Sequence, residues 1–216
     1  MNEIVAKELL KKVVEDYDSI ADSFDKTRKN QWKEFEIFLP YIKNGSNFAD
    51  IGCGNGRFLK FLNKHKKVDY VGIDNSNKLL NKAKKENPDV KFLLGDMLDV
   101  PLDKNTQDVV GCIAAFHHLP TEELRKIAVS EFSRILKKNG ILILTVWNLY
   151  QAKYEKYIGE NPNYGPQDSF IPWEKSGINR YYYAFKAKEL KKILEEKFEI
   201  IQSITGNNFV FVCKKK

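Results

Sequence analysis

The chain has 216 residues, enough for one domain with modest additions, and its 43% apolar content supplies one sizeable core. No run approaches the roughly 18 apolar residues of a membrane span. The stretch from Met1 to Tyr17 lacks a signal-peptide core, and Cys53, Cys112 and Cys213 offer neither a disulfide framework nor paired metal-ligand spacing.

A reduced, cytoplasmic setting without a metal is therefore expected. The net charge of +7 fits an acidic partner such as RNA, or a solvated lysine coat. Only five of the 36 basic residues are arginine: Arg28, Arg57, Arg125, Arg134 and Arg180. Each is the more telling, because a planar guanidinium holds carboxylates and phosphates in ways lysine cannot.

Along the chain, Ile4, Val5, Leu9, Leu10, Val13 and Val14 predict a helix over 3–17. Trp32, Phe35, Phe38, Leu39 and Ile42 predict a second, stopped near Asn44-Gly45. Strand patterns at 47–52, 69–74, 90–94, 108–115 and 140–147 then alternate with helical patterns at 57–65, 76–86 and 121–138. Thr121 is the expected N-cap of the last helix, and Asn139-Gly140 its expected stop. This alternation predicts an α/β fold, three layers around a mostly parallel sheet. Residues 148–185 break the rhythm with aromatics and Pro162, Pro166 and Pro172, and read as a long functional loop or lid. An amphipathic helix follows over 186–197. Residues 198–204 and 207–213 then predict an antiparallel hairpin across Gly206-Asn207.

The most specific motif is Asp50-Ile51-Gly52-Cys53-Gly54-Asn55-Gly56, between the first core strand and the next helix. Three glycines at alternate positions permit a sharp turn and close approach to a ligand. A pyrophosphate at that helix start would want no carboxylate beside it, yet Asp50 is there, and the last dinucleotide-fingerprint glycine is replaced by Arg57. S-adenosylmethionine, which carries an ammonium and a sulfonium but no phosphate, fits better.

The next strand ends agree. Asp74 lies 18 residues beyond Gly56, close to the spacing at which an acid accepts ribose hydroxyls, and is followed by Asn75. Asp96 can accept from an adenine amino group while Met97 covers the ring. Ala114 and Ala115 leave room for the methionine end.

These motifs resemble class I S-adenosylmethionine-dependent methyltransferases over about 47–147. Further segments resemble the methyltransferases of the tRNA wobble uridine. They are Tyr17-Asp18-Ser19-Ile20-Ala21 with Phe24 and Thr27-Arg28; Ala115-Phe116-His117-His118-Leu119; Val146-Trp147-Asn148-Leu149-Tyr150-Gln151; Phe170-Ile171-Pro172-Trp173; and Arg180-Tyr181-Tyr182-Tyr183-Ala184-Phe185. Tyr150 departs from that pattern, which commonly has glutamate there.

The resemblance implies a Rossmann-like, seven-stranded, mostly parallel sheet with an antiparallel C-terminal hairpin. It also implies methyl transfer to the carboxylate of 5-carboxymethyluridine in tRNA, and a small zinc-binding activator protein as a possible partner. The expected layout is N-terminal helices over 1–45, a cofactor-binding core over 46–147, an aromatic substrate loop over 148–185 and a C-terminal helix and hairpin over 186–216. The expected cofactor contacts are Tyr17, Arg28, Asp50, Gly52, Cys53, Gly54, Gly56, Asp74, Asn75, Asp96, Met97 and Ala114.

A carboxylate acceptor is already ionised at neutral pH, so it needs alignment and a cationic holder rather than a base. Arg28 and Arg180 are the candidates, with Arg28 equally able to clamp the cofactor's own carboxylate. His117 and His118 follow the fourth strand and are expected to face the reacting methyl; adjacent and without a third ligand, they do not suggest a metal. Trp147 can stack on the uracil, and Tyr181–Tyr183 can form a nucleotide-binding surface. Two other readings stand beside this one: a small-molecule acid, phenol or quinone as acceptor, with His117 as base toward a hydroxyl, and a binding scaffold without turnover.

Overall fold

The computed structural model describes residues 1–28, 32–173 and 176–216. Residues 29–31 and 174–175, inside the expected 1–45 and 148–185 segments, lie outside the described residues. The strands are β1 (Asn47–Ile51), β2 (Asp69–Asp74), β3 (Lys91–Leu94), β4 (Gln107–Ile113), β5 (Leu136–Trp147), β6 (Asp168–Pro172), β7 (Asn179–Tyr183), β8 (Phe198–Thr205) and β9 (Asn208–Lys215). The helices are α1 (Glu3–Thr27), α2 (Arg57–His65), α3 (Asn77–Glu86), α4 (Glu122–Ile135) and α5 (Ala187–Glu195).

The main sheet has seven strands in the order β3-β2-β1-β4-β5-β9-β8. Pairings from β3 through β5 are parallel, and β9 runs antiparallel to both β5 and β8. The expected C-terminal hairpin is thus present. Central strands buried on both faces explain why β1 and β4 read as apolar runs rather than alternations. One face packs Phe58, Phe61, Leu80 and Ala83 of α2 and α3 with Phe35 and Phe38. The other packs Val129 and Phe132 of α4 with Leu190 and Leu194 of α5. Chain order reverses between β1 and β4, the switch point where open α/β sheets hold ligands.

Four details differ from the sequence expectation. The first helix continues to Thr27 because its apolar face continues through Ile20 and Ala21, both buried. The second helical pattern folds as a 3₁₀ helix over Lys33–Tyr41, with Pro40 inside it. Helix α4 stops at Ile135, since Leu136 already pairs with Gln107; Asn139, at φ 61°, and Gly140 shape an irregularity within β5 instead of a helix stop.

Finally, 148–185 is not all loop. It contains the antiparallel pair β6–β7 and a 3₁₀ turn at Glu155–Tyr157. Tyr181 packs against Leu9 and Val13 of α1, and Tyr182 against Leu149 and Ile171. Both tyrosines are fully buried, so they do not present an open nucleotide-binding surface. Strand alternation explains the opposite packing of neighbours, and α1 supplies the apolar cover the sequence pattern alone did not reveal.

Candidate active site

A pocket of about 1150 Å³, counting its open mouth, lies over the carboxyl ends of β1, β2 and β4. Its walls include every expected site residue except Gly56. Gly56 instead caps α2 at φ 76° and seats the loop against α3, where a β-carbon would lie 3.5 Å from the Ala83 Cβ. Gly52 is the tightest point of the turn. It has φ +73°, and a β-carbon there would lie 2.4 Å from the Ala115 Cβ, so only glycine fits.

The floor is acidic. The Tyr70 hydroxyl donates to Asp50 Oδ2 at 2.7 Å, while Asp50 Oδ1 is buried without a partner. Burial pushes the Asp50 carboxyl up to about 7; the Tyr70 hydrogen bond opposes this and the nearby Asp74 charge adds to it. Asp74 accepts from the Gly54 amide at 2.7 Å through Oδ2 and from the Ser76 amide at 2.9 Å through Oδ1. Burial raises it to about 6 despite those bonds. Each Asp74 oxygen keeps acceptor capacity for a hydroxyl.

After β3, Asp96 Oδ1 accepts from the Leu98 amide at 2.9 Å, and Asn75 Nδ2 approaches Asp96 Oδ2 at 3.5 Å, with Met97 alongside. Cys53 is buried and its thiol is held protonated by burial, so it contributes backbone and shape. Ala114 leaves β4 at φ 55° while its amide donates to the Thr145 Oγ1 at 2.9 Å. That turn directs the chain into the 3₁₀ turn Phe116–His118.

The two histidines are buried and neutral. Burial lowers His117 well below the usual imidazole range and His118 to about 3. Their partners assign the tautomers. His118 Nδ1 lies 2.7 Å from the Tyr181 carbonyl, which can only accept, so Nδ1 carries the proton and Nε2 accepts from the Tyr17 hydroxyl at 3.0 Å. The Trp147 amide donates to His117 Nδ1 at 3.2 Å, so the proton sits on Nε2. Neither ring therefore offers the pocket a free basic lone pair.

The opposite wall is cationic and aromatic. Arg180 is 3% exposed, has no salt bridge among the described residues, and its Nε has no hydrogen-bond partner. Its Nη1 donates to the Tyr17 hydroxyl oxygen at 3.3 Å, and the guanidinium carbon sits 4.5 Å from the Trp173 ring centre. Arg28, the C-cap of α1, approaches the same ring at 5.3 Å and Phe24 at 5.2 Å. Trp147 stacks on Tyr182 at 5.2 Å.

Helix α1 closes this side and is pinned to both halves. Asp18 accepts from the Ser76 hydroxyl and, at 3.2 Å, from the Lys78 amide of α3. Ser23 accepts from the Trp173 indole at 2.7 Å.

The sequence pattern assigned no role to three residues that shape the site, one lining the pocket and two directly behind its lining. Arg57 stacks over Trp32 at 4.1 Å, and burial lowers its guanidinium to about 10, with Arg28 adding repulsion. The scarcity of arginine was the signal available for it. Trp173 closes the Phe170-Ile171-Pro172-Trp173 segment, whose pattern carries no role for it. Tyr70 carried no signal, because its bond to Asp50 crosses from β2 to β1.

Residues 49–144 match the family model described as "Methyltransferase domain". The tRNA (carboxymethyluridine(34)-5-O)-methyltransferase of Schizosaccharomyces pombe is 33% identical over 201 residues, covering 83% of this chain and 84% of that protein. The chain belongs to this methyltransferase family. It is an S-adenosylmethionine-dependent methyltransferase.

Within the same family, the Arabidopsis thaliana enzyme is 36% identical over 131 residues, covering 61% of this chain; there the chain spans only 31% of the longer relative. Among solved structures, an S-adenosylmethionine-dependent methyltransferase of Methanosarcina mazei superposes with a TM-score of 0.75 at 20% identity, covering 86% of this chain and 98% of that one. A chain from the complex between the Haloferax volcanii Trm112 methyltransferase activator and a methyltransferase gives 0.71 at 18% identity, with 92% and 97% covered. The structural likenesses speak for the fold alone. The acidic floor with its orphaned Asp50 oxygen is what fits the cofactor, since a buried free acceptor calls for a cationic donor such as an ammonium.

Proposed function

We propose that this enzyme methylates the carboxylate of 5-carboxymethyluridine at the tRNA wobble position. The observation that carries the reading is Arg180, a buried guanidinium with an unsatisfied Nε and no carboxylate partner among the described residues, in a box of Trp173, Tyr17 and Tyr182. A buried cation in that state lacks its counter-ion, and an acceptor carboxylate would supply it. Arg28, on the same indole, is available for either carboxylate. The name of the Schizosaccharomyces pombe relative supports the same acceptor.

Bound S-adenosylmethionine supplies an electrophilic methyl on a sulfonium. Asp50 would hold its ammonium, Asp74 its ribose hydroxyls, and Asn75, Asp96 and Met97 its adenine. Tyr17, Gly52, Cys53, Gly54 and Ala114 would shape the remaining wall, with Gly56 setting the turn. On the acceptor side, Arg180 orients the carboxylate and His117 Nε2–H donates to it. The aromatic walls exclude water, which leaves the oxygen poorly solvated and reactive. No proton has to be removed. A hydroxyl acceptor would need a base, and both histidines have their lone pairs engaged by Trp147 and Tyr17. That observation favours the carboxylate over the small-molecule phenol.

Two further features belong to this reading: a small activator protein as partner, which the Haloferax volcanii complex supports by analogy, and a cytoplasmic location. No described helix is long and apolar enough to cross a membrane.

The test is methyl transfer from labelled cofactor to tRNA bearing 5-carboxymethyluridine, alone and with a candidate activator, followed by nucleoside mass analysis. A methyl ester on that nucleoside is expected. Label entering only a small-molecule extract would overturn the proposal.

A further inference from the structure

The ring stack on the acceptor wall does not end inside the pocket. Trp147, stacked on buried Tyr182, is itself stacked by Tyr154 at 5.5 Å and 29°. Tyr154 is half-buried and begins the turn that carries Tyr157, whose amide donates to the Tyr154 carbonyl at 2.9 Å. Tyr157 packs in the same cluster as Trp147 and Tyr154, yet also lines a second, open groove with Phe170, Pro162, Pro172 and Asn179. Two exposed lysines stand on these rings: Lys153 Nζ lies 5.1 Å from the Tyr154 centre and Lys156 Nζ 5.0 Å from the Tyr157 centre. Neither has a salt bridge among the described residues. The buried core therefore continues outward as an aromatic path to a groove whose one charged lining residue is Glu160, with the Lys156 ammonium beside it over the Tyr157 ring.

We propose that this groove binds the base of a nucleotide adjoining the methylated uridine on the same single strand, stacked on Tyr157, with Lys153 and Lys156 on the flanking phosphates. Single-stranded nucleic acid is held by such a combination of ring faces and nearby cations. Glu155 and Glu160 offset the two lysines in charge, so the ring carries more of the affinity than the ammonium groups. The groove thus takes over the platform role the sequence suggested for Tyr181–Tyr183. It rests on the tRNA reading above and adds a way to grip the strand outside the reacting pocket.

The experiment uses the full chain, with its activator where one is needed, and 5-carboxymethyluridine-bearing tRNA. Tyr157→Ala is expected to raise KM for tRNA about 10-fold, the loss of one stacked base. Tyr157→Phe, which keeps the ring, should restore it. Cofactor affinity of both variants should match the wild type; Tyr157→Ala also lowers Tm through lost packing, so KM is read well below its melting temperature. The Lys153→Gln/Lys156→Gln double variant should reduce the slope of log affinity against log salt by about 1.4, as two lost single-strand phosphate contacts would.

An unchanged tRNA KM in Tyr157→Ala, or a loss that Phe does not rescue, overturns the groove and leaves the tRNA reading intact. A wild-type enzyme inert on this tRNA overturns both.

Discussion

The two halves of the pocket are built from opposite materials. The half over β1 to β3 uses backbone turns and acids, and its unsatisfied atom is an acceptor, Asp50 Oδ1. The half closed by β7 and the aromatic segment uses rings and arginines, and its unsatisfied atom is a donor, Arg180 Nε. An orphaned acceptor asks for a cation and an orphaned donor for an anion. Read together, the halves describe a cationic methyl donor facing an anionic methyl acceptor across one cavity. Arg57, beside the glycine loop yet cationic, is the exception to this division.

The sharpest way to break this division is to remove the Arg180 charge. Arg180→Met is expected to lower kcat/KM for the nucleic-acid acceptor about 100-fold, the usual scale for deleting one member of a buried charged contact. Calorimetric affinity for S-adenosylmethionine should stay unchanged. If cofactor binding fell in step with turnover, the halves would not be separable.

The next effect, about 10-fold, concerns Asp50. Its carboxyl is raised to about 7 in the folded protein, and the proposed pairing with the cofactor's ammonium would favour the ionised form and so expel a proton on binding. Affinity should therefore rise from pH 6 to pH 8, by about 10-fold for one group with that value, and flatten above it. Asp50→Asn should remove most of this slope; a slope unchanged in the variant would assign it elsewhere, Asp74 being the next candidate. The same shift acts on folding with the opposite sign. Between the ordinary carboxylate range and about 7 the folded state binds more protons than the unfolded one, so stability of the ligand-free enzyme should fall as pH rises through that window. Thermal melts across pH 4 to 8 would read it.

The smallest effect probes the seam. Tyr17 donates to His118 and accepts from Arg180. Tyr17→Phe leaves His118 Nε2 without its donor, at a cost of about 1 kcal/mol in stability, and loosens Arg180. We expect a KM for the acceptor raised about 5-fold, on the scale of one hydrogen bond. An unchanged KM with the full loss of stability would make Tyr17 a purely structural residue.

The halves also differed in what could be read from the sequence. The glycine loop, Asp74 and Asp96 were legible because their relations are local, each acid closing a strand at a fixed distance from the turn. The acceptor wall was not. Tyr17 meets His118 and Arg180 from sequence separations of 101 and 163 residues, distances no periodicity spans. Arg28 and Arg180 could be picked out as rare arginines beside aromatics, but not that they share Trp173. The burial of Tyr181 depended on Leu9 and Val13 of α1 covering β7, and that of Tyr182 on Leu149 and Ile171, tertiary facts that overrode the aromatic-plus-basic pattern. Gly56 shows the converse: its spacing placed it with the ligand, while its conformation gives it to the packing of α2 on α3.

Helix α1 spans both halves as one rod of 25 residues, fixed to α3 through Asp18 and to Trp173 through Ser23. A rod shared in this way makes the order of events matter. If the first ligand to arrive orders the rod, the second meets a wall already settled, and each then tightens the other's grip by the same factor. Departure reverses the argument: once one ligand has left, the rod is freer and the other's residence shortens. The enzyme would then discharge spent cofactor and finished strand as consecutive steps of one loosening.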